Sequence, residues 1–293
     1  MMKIDSKERK PDFLIIGTQR GGTTSMYGYI NQHPQVVPAQ RKEVHFFDFN
    51  FHKGADWYRE QFAKFAKSVD RKTAQQDVVE VEKAENNFIN GFITGEASPY
   101  YLFHPLVPQR VYDLFPEIKL IVLLRNPVAR VISHYYHEVK LGFENLSLED
   151  AIAEEEFRLK GELEKILSRE TYYSFNHQHY TYLSRGIYIE QIANWMSFFP
   201  KEQFLILKSE DFYNDPQAIL HQVFEFLSLR PHKLNKYDKW NTADYDIEDV
   251  SEATHHQLKQ YFQPYNRKLS EYLGRNFDWD RTYAKKPGFS EKW

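Results

Sequence analysis

Short apolar runs alternate with longer amphipathic stretches along most of the chain. Residues 13–16, 119–124 and 204–208 are almost continuously apolar, which is typical of strands buried on both faces of a parallel sheet. Two weaker strands are predicted at residues 36–37 and 92–95. The alternation of strands with helical segments predicts a three-layer α/β/α fold around a central, mostly parallel sheet.

Segments with apolar residues at helical spacing lie between these strands. Proline and glycine mark several of their ends, as at Asn126-Pro127, Asp215-Pro216 and Gly274. A heavily charged segment, residues 148–170, is expected to be a long solvated helix with salt-bridged faces. The other predicted helices are residues 24–32, 55–67, 104–115, 126–141, 187–199, 216–227 and 255–273.

The first strand runs into a glycine-rich loop and then a helix, within residues 13–28 (FLIIGTQRGGTTSMYG). Backbone amides and the positive end of a helix converge at such a junction, which suits an anion. Gly21 and Gly22 permit a close approach because they lack a Cβ atom. Arg20 is the cation of the loop, and hydroxyl groups follow at Thr23, Thr24 and Ser25.

The loop has the glycine spacing of a nucleotide-triphosphatase loop, G-x-x-x-x-G-K-[ST], but not its chemistry. Gly17 and Gly22 occupy the glycine positions, whereas Thr23 stands where the lysine belongs. A magnesium-dependent enzyme also needs an Asp after a second strand, but residues 119–124 are followed by Arg125. We therefore expect a phosphate-like group that is bound without a metal; the alternative is a glycine turn with no ligand.

A second anion site is predicted where Arg125 and Ser133 reach the same rim as the loop. Arginine offers a planar fork to a phosphate, and serine adds a hydroxyl group. The alternative for Arg125 is an ordinary ion pair. Arg130, on the same predicted helix, is expected to face solvent or to pair with a neighbour.

Residues 41–49 (RKEVHFFDF) place Glu43, His45 and Asp48 among aromatic residues. One interpretation is a carboxylate and an imidazole in a partly apolar pocket, where burial shifts pKa values towards base strength. The other is a surface turn whose aromatic side chains dock on the core. Glu96, at the end of a predicted strand, is likewise either a site residue or a structural carboxylate.

Composition narrows the class of protein. The 293 residues are expected to form a single domain, residues 1–293, with a polar lead-in at 1–11 and an insertion or mobile loop at 71–90. The net charge of −3 gives no global basic field for nucleic acid. Cysteine is absent and no apolar run reaches the ~20 residues that span a bilayer, so a cytoplasmic location is expected.

Five motifs, taken in order, resemble the sulfotransferases that use 3′-phosphoadenosine-5′-phosphosulfate (PAPS). They are GTQRGGTTS, KEVHFFDF, GEASPYY, LRNPVARVISHYYH and RGIYIEQIANW. The resemblance covers residues 13–279 and is strongest to the group that contains bacterial and heparan sulfate sulfotransferases. It implies a P-loop-related α/β fold, PAPS as the donor, 3′-phosphoadenosine-5′-phosphate (PAP) as the product, and no metal.

The resemblance also implies which residues bind the donor. By position, the loop from Arg20 to Ser25 corresponds to the loop that holds the 5′-phosphosulfate, and Arg20 stands where many relatives have lysine. Arg125 and Ser133 correspond to the pair that binds the 3′-phosphate.

On the acceptor side, Glu43 matches the general base of the family, and His45 and Asp48 are its neighbours in the same motif. Glu43, or alternatively His45, is expected to take the proton of the acceptor, while Arg20 stabilises the developing charge. Two departures from the family concern the acceptor. Ala97 replaces a lysine, and the basic loop that closes over the nucleotide in relatives is replaced by the acidic residues 238–251. No extended basic groove for a sulfated polysaccharide is therefore expected.

The sequence favours a smaller neutral or cationic acceptor, such as a natural product, a lipid head group or a short glycan, and no nucleic acid. Residues 171–182, rich in Tyr, His and Asn, either wall the acceptor pocket or form a loop. Two other functions stay open at this point: a metal-dependent nucleotide kinase, and a nucleotide-binding module without turnover. The sequence does not predict the oligomeric state.

Overall fold

The structure, a computed structural model, describes residues 10–62, 91–234, 237 and 250–279. The predicted insertion at 71–90 and most of the lead-in and of residues 238–251 lie outside these residues. The described part contains a five-stranded parallel sheet of strand order β2-β3-β1-β4-β5. Its strands are β1 (Phe13–Gly17), β2 (Val36–Pro38), β3 (Ile93–Ala97), β4 (Lys119–Leu124) and β5 (Phe204–Lys208).

Helices connect and cover the strands. They are α1 (Thr23–Ile30), α2 (Gly54–Glu60), α3 (Val107–Leu114), α4 (Pro127–Lys140), α5 (Leu148–Ala153), α6 (Glu155–Leu159), α7 (Glu162–Ser168), α8 (Phe175–His179), α9 (Tyr188–Met196), α10 (Ser209–Asn214), α11 (Pro216–Phe226) and α12 (Glu252–Leu273).

Alternate residues of β1 enter two hydrophobic cores, one on each face of the sheet. Leu14 and Ile16 belong to one core, together with Trp195 of α9. Phe13 and Ile15 belong to the other, together with residues of α1, α10 and α11. Successive side chains of a strand point to opposite faces, so helices lie on both sides. The predicted three-layer α/β fold is confirmed.

The central position of β1 determines where a ligand can bind. Phe13 is in register with Gly95 of β3 on one side and with Lys119 of β4 on the other. Because the strands are parallel, the segments that follow β1, β3, β4 and β5 all leave the same edge of the sheet. Ligands of open α/β sheets bind at this edge.

Of the two alternatives predicted for Arg130, the solvent-facing one is wrong, whereas Nη1 does lie 3.4 Å from Nδ1 of the neighbouring His134. The Arg130 side chain is fully buried, and Nη2 donates to the carbonyl of Tyr182. Residues of α12, including Phe262, form a third hydrophobic cluster with Val131 and Ile132 of α4. Helix α4 is therefore packed against α12 on the side that would face solvent in an amphipathic surface helix.

The prediction of one long helix at residues 148–170 is also wrong. The segment folds as α5, α6 and α7, and Gly161 before α7 has the left-handed φ of 76°. Glu155 is buried because its carboxylate accepts from the amides of Leu183 and Ser184, at 2.5 and 2.9 Å. The charge pattern predicted that the acidic side chains face solvent, whereas the Glu155 carboxylate binds backbone amides instead.

Candidate active site

The glycine loop ends in an uncapped helix N-terminus. Gly22 is the N-cap of α1 with φ 97°, and no side chain caps the helix there. The first amide to bond back along the helix is that of Met26, which donates to the Gly22 carbonyl at 3.0 Å. The earlier amides of a helix have no carbonyl of their own helix to bond. This turn, with the positive end of the helix dipole, can receive an anion.

Neighbouring elements pack tightly against the loop. A Cβ atom on Gly21 would lie 2.7 Å from the carbonyl oxygen of Leu123, and one on Gly22 would lie 2.6 Å from the Tyr213 hydroxyl. Ser209 Oγ, at the start of α10, donates to the Gly21 carbonyl at 2.6 Å. Both positions therefore require glycine, and α10 holds the loop against the sheet.

Thr23, Thr24 and Ser25 form the first turn of α1. The structure brings together the three other predicted anion-binding side chains, those of Arg20, Arg125 and Ser133. Arg20 Nε donates to Ser133 Oγ at 3.0 Å, and Arg125 Nη1 donates to the Arg20 carbonyl at 3.0 Å. Arg20 has a φ of 68°, a left-handed conformation that costs a non-glycine residue about 1–2 kcal/mol. Two guanidinium groups and one hydroxyl thus meet at the loop.

Local contacts orient Arg125. The hydroxyl of Tyr188 donates to the Arg125 carbonyl at 2.9 Å. The next residue, Asn126, caps α4 by accepting from the Val128 amide at 2.9 Å, and its own amide donates to Glu210 at 2.8 Å. The Arg-Asn-Pro sequence therefore ends β4 and starts α4 with little freedom between them.

Arg185 is a further cation at the loop that the sequence prediction missed. It is buried, its Nη1 donates to the side chain of Gln19, and its Nη2 donates to the carbonyls of His177 and Gln178 at 2.9 and 2.8 Å. The guanidinium carbon also lies 4.9 Å from the centre of the Tyr100 ring. Burial lowers the pKa of Arg185 to about 10, so the group stays charged at neutral pH.

Glu43, His45 and Asp48 form one chain of contacts. His45 Nδ1 lies 2.7 Å from Asp48 Oδ2, and His45 Nε2 lies 3.2 Å from Glu43 Oε2. Lys42 Nζ donates to the other oxygen of Glu43. The Asp48 carboxylate is shielded from solvent, whereas 39% of the Glu43 side chain is exposed. Glu43 is therefore the member of the chain that a ligand can reach.

The pKa values of this chain indicate where the proton resides. Burial alone would raise the pKa of Glu43, but His45 and Lys42 lower it to about 2. Burial would lower the pKa of His45, but Asp48 and Glu43 raise it to about 10. At neutral pH an imidazolium therefore stands between two carboxylates. Ionised Glu43 can accept a proton, whereas protonated His45 cannot, which leaves Glu43 of the two predicted bases. The predicted shift towards base strength is wrong for Glu43, because its neighbours hold its pKa below the ordinary value of 4.5.

Residues 42–48, which contain Glu43, His45 and Asp48 and are called the base segment here, lie beside the glycine loop. The amide of Ala97, at the end of β3, donates to the Lys42 carbonyl at 3.1 Å, and Ala97 is in register with Ile15 of β1. His137 of α4 lies close enough to Arg20 and to Glu43 for both charges to affect it. Burial and Arg20 lower the pKa of His137, whereas Glu43 raises it. The structure thus places the predicted donor side and acceptor side at one edge of the sheet.

Three aromatic side chains, Phe49, Tyr100 and Tyr173, adjoin the base segment; we call them the aromatic wall. Phe49 stacks on the His45 ring with 4.9 Å between ring centres, and lies 5.4 Å from Tyr100 and 5.2 Å from Tyr173. Tyr173 is 47% exposed. Residues 171–182 therefore contribute an open aromatic side chain next to the base.

The Glu96 side chain does not reach the exposed surface beside the aromatic wall. It is fully buried at the end of β3 and accepts hydrogen bonds from Ser98 Oγ and from the Tyr101 hydroxyl, at 2.6 and 2.7 Å. Burial raises its pKa to about 7. Of the two interpretations of Glu96, the geometry fits the structural carboxylate.

The described residues contain no group of His, Cys, Asp and Glu side chains arranged to hold a metal ion. No helix in this part of the chain combines the length and apolar character needed to cross a bilayer.

Comparison with known proteins agrees with this geometry. The model of the sulfotransferase domain family matches residues 10–268. The chain belongs to this family. It is therefore a sulfotransferase of the PAPS-dependent type, and PAPS is the donor that membership implies.

Individual relatives are distant but extensive. The sulfotransferase is similar to heparan sulfate glucosamine 3-O-sulfotransferase 5 of Mus musculus, at 27% identity over 94% of this chain and 75% of the relative. It is 24% identical to the membrane-associated sulfotransferase kil1 of Dictyostelium discoideum, over 92% of this chain and 66% of the relative. The chain thus spans about two thirds to three quarters of the length of these relatives.

A solved structure supports the fold assignment. The crystal structure of a sulfotransferase from Alicyclobacillus acidocaldarius is similar to this one, with a TM-score of 0.71 and 26% identity. The similarity covers 93% of this chain and 99% of the other. The central sheet therefore has the fold of a solved sulfotransferase. This sheet positions the loop, the arginines and the base segment.

The residues present fit a donor with phosphate and sulfate groups. The first turn of α1 has no side-chain cap, and Gly21 and Gly22 leave no room for a side chain. Arg20 and Arg125 stand beside it. An uncapped helix end with two guanidinium groups is suited to oxyanions of this kind.

Proposed function

We propose that the protein transfers the sulfuryl group of PAPS to a hydroxyl or amine of a small molecule, a lipid or a short glycan. The transfer is an in-line displacement with Glu43 as general base. The observation that carries the proposal is the ionised Glu43, next to a protonated His45, at the sheet edge where the glycine loop and two arginines also lie.

The donor side divides between two groups of residues. The amides of the first turn of α1, with Arg20, hold the 5′-phosphosulfate, and Arg125 with Ser133 holds the 3′-phosphate. The contacts of Arg20 with Ser133 and with Arg125 make this a single site. PAPS supplies the sulfuryl group, and PAP is the product.

The acceptor side supplies the base. Glu43 takes the proton of the acceptor hydroxyl or amine while that atom forms its bond to sulfur and the bond from sulfur to the 5′-phosphate breaks. Arg20 and the loop amides stabilise the charge that develops on the departing phosphate oxygen. Preorganised donors of this kind contribute strongly to catalysis, and loss of one typically lowers kcat by about 100- to 1,000-fold.

The charges near the base favour an uncharged or cationic acceptor. Glu43 and Asp48 are acidic, and Lys42 is already paired with Glu43. Glu138, which pairs with His134 and His179, adds a further carboxylate on α4. The aromatic wall offers apolar ring faces beside these acids, which suit the C–H face of a sugar or an aromatic ring.

The named relatives give the competing acceptor. Several are called heparan sulfate glucosamine 3-O-sulfotransferases, and that name would indicate a polyanionic glycan for this chain as well. Ala97 is buried at the position where the motif of such enzymes has lysine, so this cation is missing from the site. We therefore favour the uncharged acceptor.

An acceptor panel with radiolabelled PAPS tests the proposal. The panel contains methyl glucoside, an uncharged chito-oligosaccharide, methylumbelliferone, tyramine and heparan sulfate. We expect transfer to uncharged or cationic acceptors and its loss in Glu43→Gln, with PAP binding retained by calorimetry. Transfer to heparan sulfate alone would reject the acceptor class. Failure to bind PAP would reject the sulfuryl-transfer site itself.

A further inference from the structure

A single buried carboxylate lies under the base segment. Glu96 is fully excluded from solvent and follows the buried Gly95 in β3. Its Oε2 accepts from the Val44 amide at 3.2 Å and from Ser98 Oγ at 2.6 Å. Its Oε1 accepts from the hydroxyls of Tyr101 and Tyr58, at 2.7 and 3.2 Å.

Two of these hydroxyls, those of Ser98 and Tyr101, also accept hydrogen bonds from backbone amides of the base segment. Ser98 Oγ accepts from the His45 amide at 3.2 Å. The Tyr101 hydroxyl accepts from the Phe46 amide at 2.8 Å and from the Phe47 amide at 3.4 Å. Four successive amides, residues 44–47, therefore end on Glu96 directly or through one hydroxyl. We call Glu96, Ser98 and Tyr101 the amide clamp.

The clamp acts where the backbone is strained. His45 has a φ of 51°, a left-handed conformation that is unfavourable for a residue with a Cβ atom. Such conformations persist only where the surroundings fix them, and they concentrate at functional sites. The clamped amides of Val44 and Phe46 lie on either side of His45. Hydrogen bonds of the preceding and the following amide thus fix the strained backbone of His45.

We infer that Glu96 is the positioning residue of the base segment: through the amide clamp it fixes the strained backbone that aims Glu43 and His45. Glu96 itself touches neither donor nor acceptor. The inference rests on the proposed function, since it assigns Glu43 the role of base. It adds to that proposal the group that orients the side chain of the base.

A pair of matched substitutions separates positioning from simple packing. Tyr101→Phe and Tyr58→Phe each remove one hydroxyl that donates to Glu96 Oε1, and both side chains are fully buried. Of these two tyrosine hydroxyls, only that of Tyr101 also accepts from amides of the base segment in the described part of the chain. Ser98→Ala removes the His45 contact in the same way. These variants avoid replacing the central Glu96.

The first measurement does not depend on turnover. His45 keeps its proton because Asp48 and Glu43 are held against it, which raises its pKa to about 10. Its imidazole titration is followed by NMR, with the signal assigned from a His45→Gln variant. We expect the pKa to fall towards its ordinary value in Tyr101→Phe and in Ser98→Ala, and to stay unchanged in Tyr58→Phe. Equal titrations in Tyr101→Phe and Tyr58→Phe would overturn the inference.

The second measurement uses the acceptor that turns over fastest in the panel above. We expect kcat to fall about ten-fold in Tyr101→Phe, the effect of about one lost hydrogen bond, with the affinity for PAP within two-fold of the original protein. Tyr58→Phe should retain kcat within two-fold. An equal loss in both variants would mean that the carboxylate only packs. If no acceptor reacts, the proposed function fails, while the His45 titration still decides the inference.

Discussion

Burying the Glu96 carboxylate should make the stability of the protein depend on pH in a way that Glu96→Gln abolishes. Burial raises the pKa of Glu96 from 4.5 to about 7. A carboxyl group whose pKa is raised by folding stabilises the native state while it is protonated. That contribution is complete below the unfolded value of 4.5 and is lost as the pH rises through about 7.

The magnitude follows from the two pKa values. Each pH unit between them corresponds to about 1.4 kcal/mol, so the whole window corresponds to about 3 kcal/mol. The titratable groups that interact with Glu96 include Tyr27, Tyr58, Tyr101 and His45. Burial and the Glu96 charge raise the pKa values of all three tyrosines, so they stay neutral in this range. Full burial means that solvent does not screen the effect.

Urea denaturation at several pH values measures the effect. The free energy of unfolding of the original protein, minus that of Glu96→Gln, should fall by about 3 kcal/mol between about pH 4 and about pH 8. Groups that titrate equally in both proteins, such as the half-buried Asp12, cancel in this difference. Tyr58→Phe is the control, because it retains Glu96 and should therefore keep a pH dependence, whose upper end moves to higher pH since one donor to the carboxylate is lost. A difference that does not change with pH would refute the reasoning.

Three further predictions concern the site. Glu43→Gln should lower kcat by about 100-fold or more, the usual contribution of a general base, with calorimetric PAP affinity unchanged; loss of PAP binding would contradict the assigned role. Arg125→Ala should weaken PAP binding by about 10- to 100-fold and leave affinity for a nucleotide without the 3′-phosphate unchanged, because a charge-assisted hydrogen bond is lost; an equal loss for both nucleotides would argue against the 3′-phosphate contact. Asp48→Asn should bring the pKa of His45 down from about 10, since it removes one of the two carboxylates that raise it; an unchanged imidazole titration by NMR would show that Asp48 has no such effect.

The sheet was predictable because its strands are nearly continuous apolar runs with abrupt ends. Lys119–Leu124 and Phe204–Lys208 have the predicted boundaries. Helix ends with a local cause were also predictable: Asn126 caps α4, Asp215 caps α11, and Gly274 follows α12 with a left-handed φ of 65°. In each case the cause lies within a few residues of the boundary.

The site was predictable only where its signal is local. The glycine loop and the base segment are short motifs, so a sequence pattern can indicate them. Arg185 contacts Gln19 and Tyr213 packs on Gly22, and these partners are separated by most of the chain. The spacing of apolar residues along the chain does not predict contacts between residues so far apart in sequence. Only Ser209 had an available signal, because it directly follows a predicted strand at the edge where ligands bind.

The error for Arg130 has the same origin. An arginine in an amphipathic helix usually faces water, and the local pattern contains no sign that α12 will cover the helix. Its burial is compensated by the Tyr182 carbonyl, in a segment that the sequence left undecided between loop and pocket wall. Burial of a charged group depends on partners distant in sequence, so hydrophobic patterning cannot detect it.

Helix α4 connects the two halves of the site. Ser133 accepts from Arg20 at 3.0 Å on the donor side, and His137, one turn later, is close enough to Arg20 and Glu43 for their charges to shift its pKa. Residues four apart lie on one face of a helix. The same helix is capped directly after Arg125. One helix therefore carries both a donor-side residue, Ser133, and a residue close to the base, His137, and it links the two halves of the site.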